Sequence, residues 1–348
     1  MTHKITKLKA IIKKKRLDAF LVTDPHNVYY MSGFKSTDAA LLITKRDNFL
    51  ITDFRYKEDA QEISDFKPCL VNGHFKDTLK QVLKESEARQ VGFEDTLPYA
   101  KANLLKEALK AEKIRIVPVS DLIEGLRLFK DDTEIKKIKA TATIAKKALA
   151  ALKIRRGATE KEIAQELDCL IRLFGADAPA FPTIVASGKN SSRPHAAVTN
   201  KTVRKNEPVL IDFGVNLNMY NCDLTRVFIL GKMNALSDIY VICREAQQRA
   251  IEMIRPGISA KDVDKAARDY ITTKGFGKSF GHALGHGIGL SVHELPQISL
   301  KGHEVLKPNM VFTVEPGIYI EKVGGIRIED MVLVTKKGCE VLTNDIPK

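Results

Sequence analysis

Two apolar, β-like runs each carry an aspartate: Val209-Leu210-Ile211-Asp212-Phe213-Gly214 and Asn221-Cys222-Asp223-Leu224-Thr225-Arg226. Strands seldom bury acids without a reason, so this pair limits the possible folds more than any other feature of the chain. The Asn-rich join from Val215 to Tyr220 predicts an antiparallel hairpin turning near Leu217-Asn218, which would set Asp212 opposite Asp223. Facing Cβ atoms in such a pair lie about 4.5–5.5 Å apart. In a low dielectric two carboxylates that close repel, and one is driven protonated unless a cation lies between them. A metal ion is the simplest such cation.

The arrangement recurs downstream. Val311-Phe312-Thr313-Val314-Glu315 leads through Pro316, Gly317 and an expected turn at Gly324-Gly325 into Ile326-Arg327-Ile328-Glu329. Period-2 alternation puts Arg327 and Glu329 on one face of that strand, which offers a second acid pair. Between the hairpins stands a glycine-flanked histidine, Gly285-His286-Gly287, followed by Val292-His293-Glu294. Two Asp, two Glu and one His make an oxygen-rich set of five ligands.

Ile154-Arg155-Arg156-Gly157-Ala158-Thr159-Glu160 and Ile254-Arg255-Pro256-Gly257-Ile258-Ser259-Ala260 align at an offset of 100 residues. Each has a helix-like stretch before it, a glycine stop, and a Ser/Thr cap opening the next helix. Each is followed by histidine and then by an acid-bearing hairpin, so a duplicated half-domain is expected, with the site where the halves meet. Two ordinary helix joints that happen to look alike would explain the joints but not the matching hairpins.

At 348 residues the chain is long enough for two cores. Residues 1–128 alternate strand-like and helix-like stretches, which predicts a three-layer α/β domain. A second domain, 129–348, is expected to open with a capping box, Asp131 and Glu134, ahead of a long helix. The formal charge of +13 is scattered over helix-like segments without interleaved aromatics, so solvated faces are favoured over a nucleic-acid site. No apolar run approaches the roughly 20 residues of a membrane span. Five cysteines without C-x-x-C spacing read as reduced thiols in a cytoplasm.

At these motifs the chain resembles the creatinase and methionine-aminopeptidase superfamily with its "pita-bread" fold, and within it the Xaa-Pro peptidases, aminopeptidase P and prolidase. Ile211-Asp212-Phe213-Gly214, Asp223-Leu224-Thr225-Arg226, Gly285-His286-Gly287-Ile288-Gly289, Val314-Glu315-Pro316-Gly317 and Arg327-Ile328-Glu329-Asp330 arrive in that family's order. The resemblance implies a creatinase-like α/β N-terminal domain, then an α+β pita-bread catalytic domain with an internal pseudo-twofold. It implies two divalent metal ions on Asp212, Asp223, His286, Glu315 and Glu329, with Asp223 and Glu329 bridging. Such a donor set suits Mn2+ first, with Co2+, Fe2+ or Zn2+ also accommodated.

By the same resemblance Glu315 would be the general base, His293 would steady the oxyanion, and His195 would contact substrate. His282 would line a proline pocket, and Arg327 would orient carboxylates or substrate. The implied substrate is a peptide with proline second, cleaved before the proline by a homodimer. Aminopeptidase P is the reading taken, with prolidase as the alternative and a binding module without activity as the rival of another class. Leu217 and Cys222 depart from the family's usual Tyr and Ser, which touches substrate preference and leaves the ligand set whole.

Overall fold

A computed structural model of the chain describes residues 2–232, 236–344 and 346. It divides into two compact units between Arg127 and Leu128.

The N-terminal unit holds six strands: β1 (Ala19–Val22), β2 (Ala39–Thr44), β3 (Asn48–Thr52), β4 (Lys67–Leu70), β5 (Gln90–Glu94) and β6 (Arg115–Val119). They form one sheet in the order β4-β3-β2-β1-β5-β6, with β2 antiparallel to its neighbours. Alternation along the strands supplies two apolar faces. Ala19, Leu21, Leu42 and Ile51 pack against Leu79, Val82, Leu83, Leu105 and Leu109 from helices 75–85 and 99–110. Phe20, Leu41 and Ile43 are fully buried on the other face.

Among the elements that escape a reading by sequence pattern here are a helix and a strand. Helix Pro25–Ser32 starts on proline at its first turn, with the Asp24 carboxylate accepting from the His26 and Asn27 N–H groups. Strand β4 carries Lys67 and Pro68 and is largely exposed, as befits a sheet edge, so it lacks the apolar alternation by which strands are recognised.

The C-terminal unit opens with α1 (Asp132–Ala151), whose capping box joins Asp131 and Glu134. Three further long helices follow: α2 (Glu160–Leu173), α3 (Ser237–Met253) and α4 (Ala260–Thr273). The two helix joints share most of their main-chain bonds. Val203 N–H donates to Ala158 C=O as Leu306 N–H donates to Ile258 C=O, and Glu160 N–H to Lys201 C=O as Ala260 N–H to Glu304 C=O. Gly157 and Gly257 both take positive φ, at 86° and 91°. The unit is therefore a duplicated half-domain.

The strands of the first half are β7 (Ala178–Pro179), β8 (Ile184–Ser187), β9 (Pro208–Phe213), β10 (Val215–Leu217), β11 (Tyr220–Asn221) and β12 (Leu224–Ile229). Those of the second are β13 (Gly285–Gly287), β14 (Glu294–Ile298), β15 (Val311–Val314), β16 (Gly317–Ile320), β17 (Gly324–Arg327), β18 (Asp330–Val334) and β19 (Cys339–Val341). Sheet order is β12-β9-β8 in one half and β14-β13-β15-β18-β19 in the other, with β10 in a separate sheet β11-β10-β7 and β16 paired with β17. Helices α3 and α4 cover the second half through Cys243, Ala246, Ala250, Ala267 and Ile271, which share a core with Phe312, Val314 and Val332.

Both hairpins turn elsewhere than the sequence suggests. The first turns at Asn218-Met219, whose φ angles of 50° and 70° suit a type I′ turn, one residue later than expected. Asp212 therefore faces Thr225, and Asp223 is its diagonal neighbour on the same side. The second turns at Glu321-Lys322-Val323, while Gly324 and Gly325 lie inside β17. A Cβ on Gly325 would lie 2.3 Å from the Ser191 carbonyl oxygen. These glycines serve the close approach of residues 188–192 to the strand rather than a reversal of the chain.

Candidate metal centre

Strand β9 is flanked on both edges by β8 and β12, and Asp212 is its one polar side chain. In the second half, the register of Val314 with Asp330 and that of Gly317 with Arg327 count on to place Glu315 opposite Glu329. The two acid-bearing hairpins are joined directly, because Glu329 N–H donates to Thr225 C=O at 3.3 Å. His286 enters from β13, its N–H bonded to Thr313 Oγ1 at 3.1 Å. Its flanking glycines are required there: a Cβ on Gly285 or Gly287 would lie 1.9 or 2.0 Å from the carbonyl oxygens of Thr313 or Leu295.

The five side chains converge. His286 Nε2 lies 3.3 Å from Glu315 Oε1 and 3.7 Å from Asp223 Oδ2. Asp223, His286 and Glu329 offer donor atoms all within 4.8 Å of one another. Asp212 is held from behind by Arg327, whose Nη2 bonds its Oδ2. Thr225 Oγ1 donates to Glu329 Oε2 at 2.7 Å and accepts from Arg327 Nε at 3.1 Å, while Thr313 Oγ1 donates to Glu315 Oε1 at 3.0 Å. Neither threonine stands out in the sequence. The signal available for Thr225 is its place two residues on from Asp223, on the same side of the strand.

This crowding moves every proton equilibrium. Burial, then the charge of Asp212, pushes Asp223 well above the usual carboxylate range, and burial, then Asp223, does the same to Glu329. Burial also raises Asp212, against the opposing pull of Arg327. Burial draws His286 down, but the hydrogen bond and charge of Glu315 with the charge of Asp223 carry it up to about 9. Burial works against ionised Glu315 as well, yet His286, His282 and Arg327 bring it down to about 2.

Among the described residues, Asp212 Oδ1, Asp223 Oδ1 and Glu329 Oε1 are buried and have no hydrogen-bond partner. Buried carboxylate oxygens are rarely left so. Four acids set against one imidazole and the Arg327 guanidinium leave negative charge uncompensated, and hard oxygen donors around an imidazole are the chemistry of divalent cations. The residues fit that group.

The remaining residues named from sequence stand around this cluster. His293 is exposed as a residue, its ring 4.1 Å from that of His286, and partial burial of the ring and the His286 charge lower its pKa. Its neighbour Glu294 is no surface group: it forms a buried ion pair with Lys130 at 2.7 Å. His195 is exposed and follows Pro194, whose C=O accepts from Arg327 Nη1 at 3.2 Å. His282 lies between Phe280 and Tyr319, with ring centroids 5.0 and 5.6 Å away. Tyr319, which the sequence does not single out, links Arg327 Nη1 at 2.8 Å to His282 Nε2 at 3.1 Å. Burial pushes its phenol up to about 12, so the hydroxyl keeps its proton and donates to the imidazole. Arg327 is 4% exposed, and its guanidinium donates to Asp212, Thr225, Tyr319 and the Pro194 carbonyl.

Among known proteins, residues 136–336 match "Metallopeptidase family M24" and residues 4–129 match "Creatinase/Prolidase N-terminal domain". The chain is 38% identical to the "Xaa-Pro dipeptidase" of Pyrococcus furiosus, over 99% of this chain and 98% of that one. The solved "Xaa-Pro dipeptidase from Bacillus anthracis" superposes with a TM-score of 0.96 at 39% identity, covering 100% of this chain and 98% of that one. The "X-Pro aminopeptidase from Thermotoga maritima MSB8" gives 0.88 at 38% identity, covering 94% and 96%. With its acid and imidazole cluster built for divalent cations, the chain belongs to metallopeptidase family M24 and carries that family's creatinase/prolidase N-terminal domain.

Proposed function

We propose that the protein is an Xaa-Pro dipeptidase (prolidase) that hydrolyses the peptide bond before proline. The carrying observation is the convergence of Asp212, Asp223, His286, Glu315 and Glu329, three of them with a buried oxygen that no described residue satisfies. The aminopeptidase reading taken from sequence gives way to its alternative, because similar proteins matched over nearly their whole length carry the dipeptidase name. The Thermotoga structure keeps Xaa-Pro aminopeptidase as the second reading.

In this proposal Asp212, Asp223, His286, Glu315 and Glu329 would hold two ions, and Mn2+ suits the four carboxylates and one imidazole. The bound ions would supply Lewis-acid polarisation of the scissile carbonyl and a more acidic water. Arg327 fixes Asp212 and Thr225 fixes Glu329, so the donors are set before substrate arrives. Glu315, which the His286 charge keeps ionised in the metal-free site, would accept the proton of the attacking water. His293, kept neutral at pH 7 by its lowered pKa, donates its N–H to the carbonyl oxygen as charge develops there. His195 meets the substrate on the exposed side, and His282 borders the proline ring. The bond before proline is a tertiary amide without N–H, so strand-like docking fails and a shaped site is needed.

Free thiols at Cys69, Cys169, Cys222, Cys243 and Cys339 support a cytoplasmic setting, and no described helix is long and apolar enough to cross a membrane. A homodimer is proposed, to be checked by light scattering. The deciding assay compares an Xaa-Pro dipeptide with an Xaa-Pro-Yaa tripeptide on Mn2+-loaded protein, where kcat/KM should favour the dipeptide by about tenfold or more. Equal or better cleavage of the tripeptide would return the assignment to aminopeptidase.

A further inference from the structure

Glu160 is a carboxylate with no solvent exposure, standing at the first turn of α2. Its Oε1 accepts from Ser187 N–H at 2.7 Å, Ser187 Oγ at 2.9 Å and Asn190 Nδ2 at 3.0 Å. Its Oε2 accepts from Asn190 Nδ2 at 3.0 Å, Thr199 N–H at 3.2 Å and Thr199 Oγ1 at 2.6 Å. Ser187 and Thr199 are the two ends of one connection, so a single side chain closes it at its base. The segment it closes carries Pro194 and His195, and between Arg193 and Val198 it has almost no regular structure.

The duplication supplies an internal comparison. At the offset of 100 residues the second half has Ala260, equally buried, whose side chain merely fills space beside Gly302. The main-chain bonds that Gly157, Val203 and Glu160 make at the helix joint recur at Gly257, Leu306 and Ala260, while Lys161 N–H to Thr199 C=O at 3.1 Å is an added bond to the connection of the first half. A carboxylate is therefore not needed to build the joint, and its presence in the first half answers to the connection that only this half must hold. That connection touches the metal centre through Pro194 C=O on Arg327, and touches β17 through Gly325 N–H on Ser191 Oγ at 2.8 Å.

We propose that Glu160 is a positioning residue for substrate: by closing the Ser187–Thr199 connection at both ends, it fixes His195 at the mouth of the metal centre. The proposal rests on the Xaa-Pro peptidase reading for the role of His195. Removing half of the acceptor capacity frees the segment, which weakens substrate binding and leaves the cation ligands, all on other elements, in place.

Glu160→Gln keeps the shape and turns one acceptor into a donor. In the metal-loaded variant, KM for an Xaa-Pro dipeptide is expected to rise about tenfold, with Mn2+ binding by calorimetry unchanged within about twofold. Set against His195→Ala, the effect on KM should largely vanish in the double variant, because both act through one side chain. Additive KM effects, or a loss of Mn2+ affinity, overturn the proposal. Hydrogen exchange of the substrate-free protein reads the clamp itself: amides 188–199 should exchange faster in Glu160→Gln and elsewhere hold, and unchanged exchange there also overturns it. Thr199→Val, which removes one bond to the carboxylate, serves the same two measurements if Glu160→Gln does not fold. A wild-type protein idle on the dipeptide sinks the peptidase reading instead, and exchange alone then judges the clamp.

Discussion

At the scale of single residues, the centre is a set of ionisable groups whose proton affinities are displaced by one another. Asp212, Asp223, Glu329 and His286 are all raised, so the metal-free fold binds protons more tightly at these groups than the unfolded chain does. Raised groups stabilise the fold below their unfolded values and lose that contribution as pH climbs through the folded ones. For His286 the window runs from 6.5 to about 9. In chelator, the melting temperature should fall as pH is raised across this range, and His286→Gln should flatten the slope. A melting temperature that rose with pH would contradict the arrangement. The acids and the imidazole are legible in sequence because charge in an apolar run is conspicuous. Thr225, Thr313 and Tyr319 are not: a hydroxyl in a strand is ordinary until the fold places it against a carboxylate or a guanidinium.

At the scale of elements, what holds the centre in shape is a second buried pair behind it. Arg226 Nη2 meets Asp330 Oδ1 at 2.8 Å, with exposures of 1% and 0%. The same guanidinium donates to the carbonyls of Thr225 and Glu329, one on each hairpin, and to those of Thr343 and Ile346. Removing one partner leaves a buried charge uncompensated, so Asp330→Asn should cost about 3–5 kcal/mol in denaturant unfolding. A change below about 1 kcal/mol would mean that the pair is not what joins the hairpins. Strand periodicity places β9, β12 and β15 well. It misplaces both turns, because a turn is decided by which residues accept positive φ, and a methionine or a lysine gives no sign of doing so. Here Met219 and Lys322 take that role, while Gly324 and Gly325 serve a close approach.

At the scale of the whole molecule, the repeat at an offset of 100 residues is the most informative long-range signal, since it announces two halves before any contact is known. The asymmetry between the halves is hidden, because the sequence does not show that Glu160 and Ala260 are both buried and that only the first has donors to meet. With the proposed ligands drawn from both halves, cation binding would be coupled to folding of the C-terminal unit. Mn2+ at about 100 times its Kd should stabilise the folded state by about 2.7 kcal/mol, and chelation should reverse this in a thermal melt. An unmoved transition would place the cation elsewhere. The carbonyls of Thr343 and Ile346 on Arg226 carry a practical corollary. This stretch braces both acid-bearing hairpins from behind, so an insertion just after Leu342 should loosen the whole acid cluster although it lies on no strand that carries one of the acids.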